Sequence, residues 1–442
     1  MILKNRLLIL MNFKTTVITL ILASSTAITA TAQNNTKGYY KDIFMDSGIM
    51  LTSRTYLPAS RVLGLDIESF VSAVNSDTDK INSRDTIIQK ELLCGSAMDE
   101  NGILLYPDGE PRFRMVYLNG GKAVNHGRTL GEKGRANIMQ FIQNGGSYLG
   151  SCAGAFIASK YTFSDDSLKL RTDSYMGIWP GSVRGTGLEK SWTDMTFDKD
   201  SPLLRYYDFG GDFQVDSVRH NGGCYGDTEH VWPEGGEILA RFATKGRELP
   251  RNIDTQPSVW ALKYGDTGGR VISCGSHPEE VTSGERLDFM CAMVLYALDG
   301  NGNPTVKATL APGDSIRMTR TTADNDPAHT RIGDKQYHHF IIDVPAGRDS
   351  VKVSVKSLKG WSDFDFCLSM DKDDFAFLDS AGLANVALGV DKSLTIKSPE
   401  AGKYYVAVYC ATTVDTEETR YGTSYTGRTD VLNGVPYILK VE

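Results

Sequence analysis

The stretch Gly145-Gly146-Ser147-Tyr148-Leu149-Gly150-Ser151-Cys152-Ala153-Gly154-Ala155 runs from a glycine stop through a short apolar segment to one cysteine set among small residues. Tyr148-Leu149 reads as the end of a strand, and Ala153 to Lys160 reads as a helix. Cys152 therefore falls on a strand-to-helix elbow, where only Gly, Ser or Ala nearby let the backbone turn so tightly and the side chain projects above the sheet. Unpaired N–H groups at the start of the following helix favour a thiolate there. A buried cysteine serving as a small hydrophobe is the plainer reading of the same residue. Just upstream, Ile138, Phe141 and Ile142 recur at helical spacing between Arg135 and Asn144, with Gly145-Gly146 as the stop.

A second group of reactive residues lies far downstream. Arg270-Val271-Ile272-Ser273-Cys274 reads as a short buried strand that runs into Gly275-Ser276-His277-Pro278-Glu279-Glu280. In open α/β sheets reactive groups gather beyond the carboxyl ends of the strands, so Cys152 and His277 are expected to face each other. Glu279 can accept from one imidazole nitrogen and leave the other as general base, with Glu280 as the alternative carboxylate. The expected catalytic set is Cys152, His277 and Glu279. A further strand, Met115 to Leu118, leads into Asn119-Gly120-Gly121. Backbone N–H groups near Gly120 and Gly121, with that of Ala153, are the expected donors to an oxyanion. A simple turn after the strand is the alternative.

Together, Leu118-Asn119-Gly120-Gly121-Lys122-Ala123, the run from Leu130-Gly131 through Ala155, Asn221-Gly222-Gly223 and Ser276-His277-Pro278-Glu279 resemble the class I glutamine amidotransferase-like superfamily. Within it, the likeness is to the domain named after the N-terminal part of eukaryotic biotin–protein ligase. The resemblance implies a flavodoxin-like α/β sheet carrying a nucleophilic cysteine. It implies no biotin transfer, since no counterpart of a ligase domain and no biotin-ligase partner is evident. By the same likeness Asn221 would position substrate, although a hairpin turn explains it equally. Two residues depart from the family pattern. Asn119 replaces the usual proline before the paired glycines, and His126 stands where an aromatic residue is common, as either a substrate contact or a surface histidine.

The chain has 442 residues, 41% hydrophobic and 23% charged, enough for two or three domains with proper cores. Its first 32 residues read as a secretory signal peptide: Lys4, Arg6 and Lys14, then an apolar, hydroxyl-rich run from Thr15 to Ile28, then Ala30-Thr31-Ala32. The apolar run is shorter than the ~20 residues of a membrane span. Loss of its three basic residues takes the formal charge from −7 to −10. No long Lys/Arg run is present, so nucleic acid and anionic membrane surfaces are not expected partners. Beside Cys152 there are cysteines at 94, 224, 274, 291, 367 and 410; Cys367 and Cys410 are the first pair to expect bonded in an exported protein. No Cys-x-x-Cys or His-x-x-x-His spacing occurs, and neither a metal nor a cofactor is expected.

The α/β domain is expected over residues 33–302. Lys41 to Met45 forms its first strand, a helix follows near Ala59 to Asn75, and a second strand with a hairpin-like excursion lies between Asn82 and Arg112. Gly-rich and aromatic-rich β excursions between Ser164 and Gly235 wall the site, and Glu285 to Leu298 is the closing helix. The breaker cluster Asp299-Gly300-Asn301-Gly302-Asn303-Pro304 marks the boundary. Past it, segments at 337–344, 350–355, 363–370, 393–397, 402–409 and 437–441 read as strands of an all-β sandwich, 303–442. That region resembles the bacterial pre-peptidase C-terminal domain, carried by Asp343 to Gly347, Ser362 to Asp365, Ala401 to Val406 and Tyr437 to Val441. Asp363, Asp365, Asp371, Asp373 and Asp374 offer calcium ligands or simply solvated strand ends.

Two functional classes follow. One is a secreted or periplasmic cysteine hydrolase acting on an amide or ester of a small-molecule or peptide substrate, associated with the cell envelope. The other is a catalytically silent ligand-binding or scaffolding protein of the same fold.

Overall fold

The computed structural model describes residues 38–46, 57–70, 91–419 and 422–442. The segment 1–32, expected to be a signal peptide, lies outside the described residues. Strand is the dominant element, and few helices interrupt it.

Five strands form a parallel core: β1 (Lys41–Asp46), β2 (Ile67–Phe70), β3 (Phe113–Leu118), β4 (Ser147–Ser151) and β5 (Arg270–Cys274). Their spatial order is β2-β1-β3-β4-β5, every neighbouring pair parallel. Every residue of β3 and β4 is buried, as a parallel sheet covered on both faces requires. The pleat divides them by parity: Val116, Leu118 and Tyr148 join one apolar cluster, Met115, Tyr117 and Leu149 the other. Helix α2 (Ala123–Gln143) packs Leu130, Ile138, Phe141 and Ile142 into the first cluster, together with Ala155 and Ile157 of α3 (Ala153–Ala158). Helix α4 (Glu285–Leu298) packs Leu287, Phe289, Met293 and Val294 into the second, beside Ala59 of α1 (Pro58–Val62).

Helix α1 is much shorter than the expected Ala59–Asn75. Leu63-Gly64 turns the chain, Gly64 taking φ +66°, and Ile67–Phe70 becomes β2 instead. The second strand of the core is therefore this segment. Among the described residues of 91–112, the hairpin-like excursion is a turn at Tyr106–Glu110 closed by a bridge between Leu105 and Pro111. Helix α2 begins well before Arg135 and kinks at Gly131 (φ 66°, ψ −175°). Beyond β5 the sheet continues antiparallel through Pro257–Lys263, Glu237–Ala243, Ser191–Thr196 and Gln214–His220. The excursions thus split. Two of them extend the main sheet, while Ser159–Ser164, Ser167–Leu170, Trp179–Gly185 and Cys224–Gly226 form a separate four-stranded sheet.

Residues from 306 onward build two further sheets, of five and four strands, whose inward residues Phe340, Val353, Phe366, Val406 and Leu439 share one apolar cluster. Cys367 and Cys410 are both free thiols. On adjacent strands Cys410 stands opposite Phe366 and Cys367 opposite Tyr409. This one-residue offset sends the two thiols to opposite faces, so the expected disulfide is absent. The acidic strand ends close turns: Asp365 accepts from Gly389 N–H (2.6 Å) and Asp371 from Gly382 N–H (2.8 Å).

The C-terminal residues are tied into the first sheet. Strands Asp415–Thr419 and Gly422–Thr426 form a hairpin whose Gly422 pairs with Phe70 of β2. Glu68 of β2 accepts from Tyr40 (2.9 Å), Lys41 (2.6 Å) and Tyr425. Arg112, fully buried, meets Asp334 at 2.8 Å, and Lys307 meets the buried Asp108 at 2.6 Å. The breaker cluster is anchored too, with Asn301 Nδ2 donating to Arg114 O (2.6 Å) and Gly302 N–H to Gly145 O (2.9 Å).

Candidate active site

Cys152 stands at the elbow between β4 and α3 with φ 48° and ψ −101°, a backbone conformation that a non-glycine residue adopts only when its surroundings enforce it. Three contacts enforce it. The Cys152 N–H donates to Cys274 O at the end of β5 (2.9 Å), and Tyr148 Oη donates to Gly154 O from beneath (2.8 Å). A Cβ on Gly154 would lie 2.1 Å from Leu118 O, so the turn closes onto β3 only with glycine there.

His277 is positioned by a backbone bridge, its N–H donating to Arg219 O (2.9 Å). Its Nδ1 lies 2.9 Å from Glu279 Oε1, and Cys152 lies within hydrogen-bonding reach of the ring. Cys152 is 5% exposed, His277 6% and Glu279 1%, so the three form a nearly enclosed cluster. Burial opposes a charged imidazole, but hydrogen bonds to Cys152 and Glu279 and the charges of both outweigh it and push His277 up to about 10. Glu280 turns away to Arg219 (2.5 Å), which leaves Glu279 as the carboxylate at the imidazole. A Cβ on Gly120 would come 2.3 Å from His277 Cε1, so the loop after β3 abuts the ring.

The remaining expected site residues fare differently. The Gly120 N–H does not point to an oxyanion position: it donates to Asn119 Oδ1 (2.8 Å), a direct consequence of asparagine at 119. Gly121 takes φ 140°, and Ala153 opens α3 immediately after Cys152. Asn221 is exposed, while its neighbour His220 is fully buried. His220 Nε2 lies 2.7 Å from Thr193 Oγ1; burial first, then the charge of His277, pulls it down to about 3, so it is neutral beside the charged pair. Nothing in the sequence separates this histidine from a surface one. His126 is neither exposed nor aromatic-like: it is buried, its Nδ1 2.6 Å from Asp46 Oδ2 at the end of β1.

Cys224 and Cys274 are buried within electrostatic reach of Cys152. Burial pushes the Cys224 thiol well above its ordinary value and Cys274 up to about 12, so both are inert neighbours. Among the described residues Asp227, Glu229 and His230 are the one group able to bring three metal-ligand atoms within 4.8 Å of one another. His230 Nδ1 is already bonded to Asp227 (2.8 Å) and its ring stacks on Phe163, which accounts for the cluster as a turn.

An uncharacterized protein of Chlamydia muridarum (strain MoPn / Nigg) is 28% identical over 179 residues, 39% of this chain. The chain spans 63% of that relative's length. Among solved structures, a putative ThuA-like protein from Bacteroides uniformis overlaps 60% of this chain and 96% of its own, at 12% identity and a TM-score of 0.33. The pre-peptidase C-terminal domain of a collagenase from Bacillus anthracis overlaps 32% of this chain and all of its own, at 14% identity and a TM-score of 0.18. The segment 110–289, which holds β3, β4, β5, Cys152, His277 and Glu279, matches the family model described as the N-terminal part of biotin–protein ligase.

Proposed function

We propose that the chain is a cysteine-dependent hydrolase that cleaves an amide or ester bond through Cys152, His277 and Glu279. The observation that carries this reading is the enclosed grouping of Cys152, His277 and Glu279 on a strained elbow, with Glu279 2.9 Å from the imidazole Nδ1. The strand order β2-β1-β3-β4-β5 supports a flavodoxin-like, class I glutamine amidotransferase-like α/β domain, whose reactive groups gather at the carboxyl strand ends. Residues 33–302 would form this domain. The β-rich residues 303–442 would then be a sandwich of the pre-peptidase C-terminal type, and residues 1–32 a signal peptide directing the protein to the periplasm or outside the cell.

In the proposed cycle Cys152 Sγ attacks the carbonyl carbon, and the oxyanion is held by the Ala153 N–H and the Gly121 backbone. His277 donates its proton to the leaving nitrogen or oxygen. Acylation of Cys152 removes one of the hydrogen bonds that holds the imidazole's proton, which eases that donation. Neutral His277 then takes a proton from water, which attacks the acyl-enzyme and frees Cys152. Glu279 keeps the imidazole oriented throughout. Hydrolysis rather than ammonia transfer fits a chain whose residues 303–442 are β-rich.

The test is the rate of iodoacetamide alkylation at Cys152 from pH 5 to 9, read by mass spectrometry, beside His277→Ala. A plateau well below the ordinary thiol range near pH ~8.5, lost in the variant, is the expected result. Alkylation that rises as an ordinary thiol and ignores the histidine change would overturn the hydrolase reading in favour of a silent binding protein.

A further inference from the structure

Away from the nucleophile, a cavity of about 540 Å³ opens between the outer side of α2 and the strand segment that follows α3. Its size falls within the usual ~300–1,000 Å³ range of small-molecule sites. The apolar wall comes from Met139 of α2, Tyr175, Met176 and Tyr264. That wall is fixed by the backbone: Met176 N–H donates to Ile157 O of α3 (2.8 Å), and Tyr264 Oη donates to Ile178 O (2.7 Å).

The rim is basic. Arg135, Lys160 and Arg171 reach the cavity against a single acid, Glu132. Among the described residues none of the three forms an ion pair. Arg135 donates to Gly127 O (2.8 Å), Arg171 Nε to Thr162 Oγ1 (2.9 Å), and Lys160 sits over the Tyr161 ring. Arg171 is thus held by its Nε, its guanidinium 5.7 Å from the Tyr175 ring, with its terminal amino groups left to serve a ligand. In a chain of net charge −7, three basic side chains without acidic partners gathered on one apolar cavity give it a rim suited to an anion. Arginine's planar fork matches a carboxylate in two parallel hydrogen bonds.

We propose that this cavity binds a small amphiphilic carboxylate, its acid at Arg171 and Arg135 and its apolar body against Met139, Tyr175 and Tyr264. The site is separate from Cys152 and does not depend on the hydrolase reading.

The test uses the full chain and isothermal titration with 4-phenylbutyrate and its neutral amide. The acid is expected to bind at one site, about tenfold or more tighter than the amide, as a charge-assisted contact requires. Arg171→Glu should abolish that preference, and Ala136→Trp, placed on the exposed helix face lining the cavity, should weaken both ligands. Cys152→Ala should change neither. Thermal melts of each variant identify one that fails to fold, and Arg135→Gln gives a milder second reading. Equal binding of acid and amide, binding that survives both Arg171→Glu and Ala136→Trp, or no binding at millimolar acid would each overturn the proposal.

Discussion

The Cys152 elbow and the seat of the C-terminal sheets are both nearly dry, yet they are built from opposite materials. At the elbow glycines let backbone touch backbone, and Cys152, His277 and Glu279 sit in one short chain of contacts. At the seat, long charged side chains are buried in pairs: Arg112 with Asp334, Lys307 with Asp108, Glu68 with Tyr40 and Tyr425. The elbow tolerates almost no added volume, whereas the seat tolerates almost no lost charge. Function would fail first in one region and folding first in the other.

The sharpest way to break this contrast is His277→Ala, expected to lower Cys152 alkylation at pH 7 by ~10–30-fold as its thiolate fraction falls to that of an ordinary thiol. Gly120→Ala should approach that effect while removing no reactive group, since its methyl would displace the His277 ring; a loss of ~10-fold is expected, read by the same alkylation assay. At the seat the order reverses. Arg112→Met alone should cost about 3–5 kcal/mol in urea unfolding, because it strands Asp334 in the interior, and Arg112→Met with Asp334→Leu should recover most of it. Alkylation of the refolded single variant should stay near normal.

Two buried carboxylates near the seat give a weaker, pH-dependent signal. Burial pushes Asp99 up to about 7, and burial with the neighbouring Asp108 charge does the same for Glu110. Each binds its proton more tightly folded than unfolded, so the folded state holds more protons between about pH 4 and 7. Stability should therefore fall as pH rises through that window and level off above it; Glu110→Gln should flatten the slope in urea melts taken at successive pH values. The smallest expected change is at the loop after β3. Asn119→Ala releases the Gly120 N–H and should raise acylation by no more than ~10-fold, a fraction of what a full oxyanion donor provides.

Legibility in the sequence follows the same division. The proximity of Cys152, His277 and Glu279 is legible because each lies just past a strand whose apolar run is local, and α4 keeps its expected bounds at both ends. The helix expected from Ala59 stopped early, because Gly64 outweighs the apolar residues that follow and the parallel pairing with β1 claims Ile67–Phe70. His220 was hidden, since a lone histidine carries no periodic signal and its burial depends on Thr193 and Phe242 from other strands. The strand Asp415–Thr419 was hidden for a different reason: Asp-Thr-Glu-Glu-Thr is fully exposed and shows no alternation, so only its partner makes it a strand.

That partner is reached late. Ser69 N–H donates to Thr423 Oγ1 across 354 residues of sequence, beside the Phe70–Gly422 pairing. During synthesis β2 must wait, with one edge uncovered, until Thr423, 354 residues beyond Ser69, has been made. Contacts of such long range slow folding and leave an edge open to association with other strands in the interval.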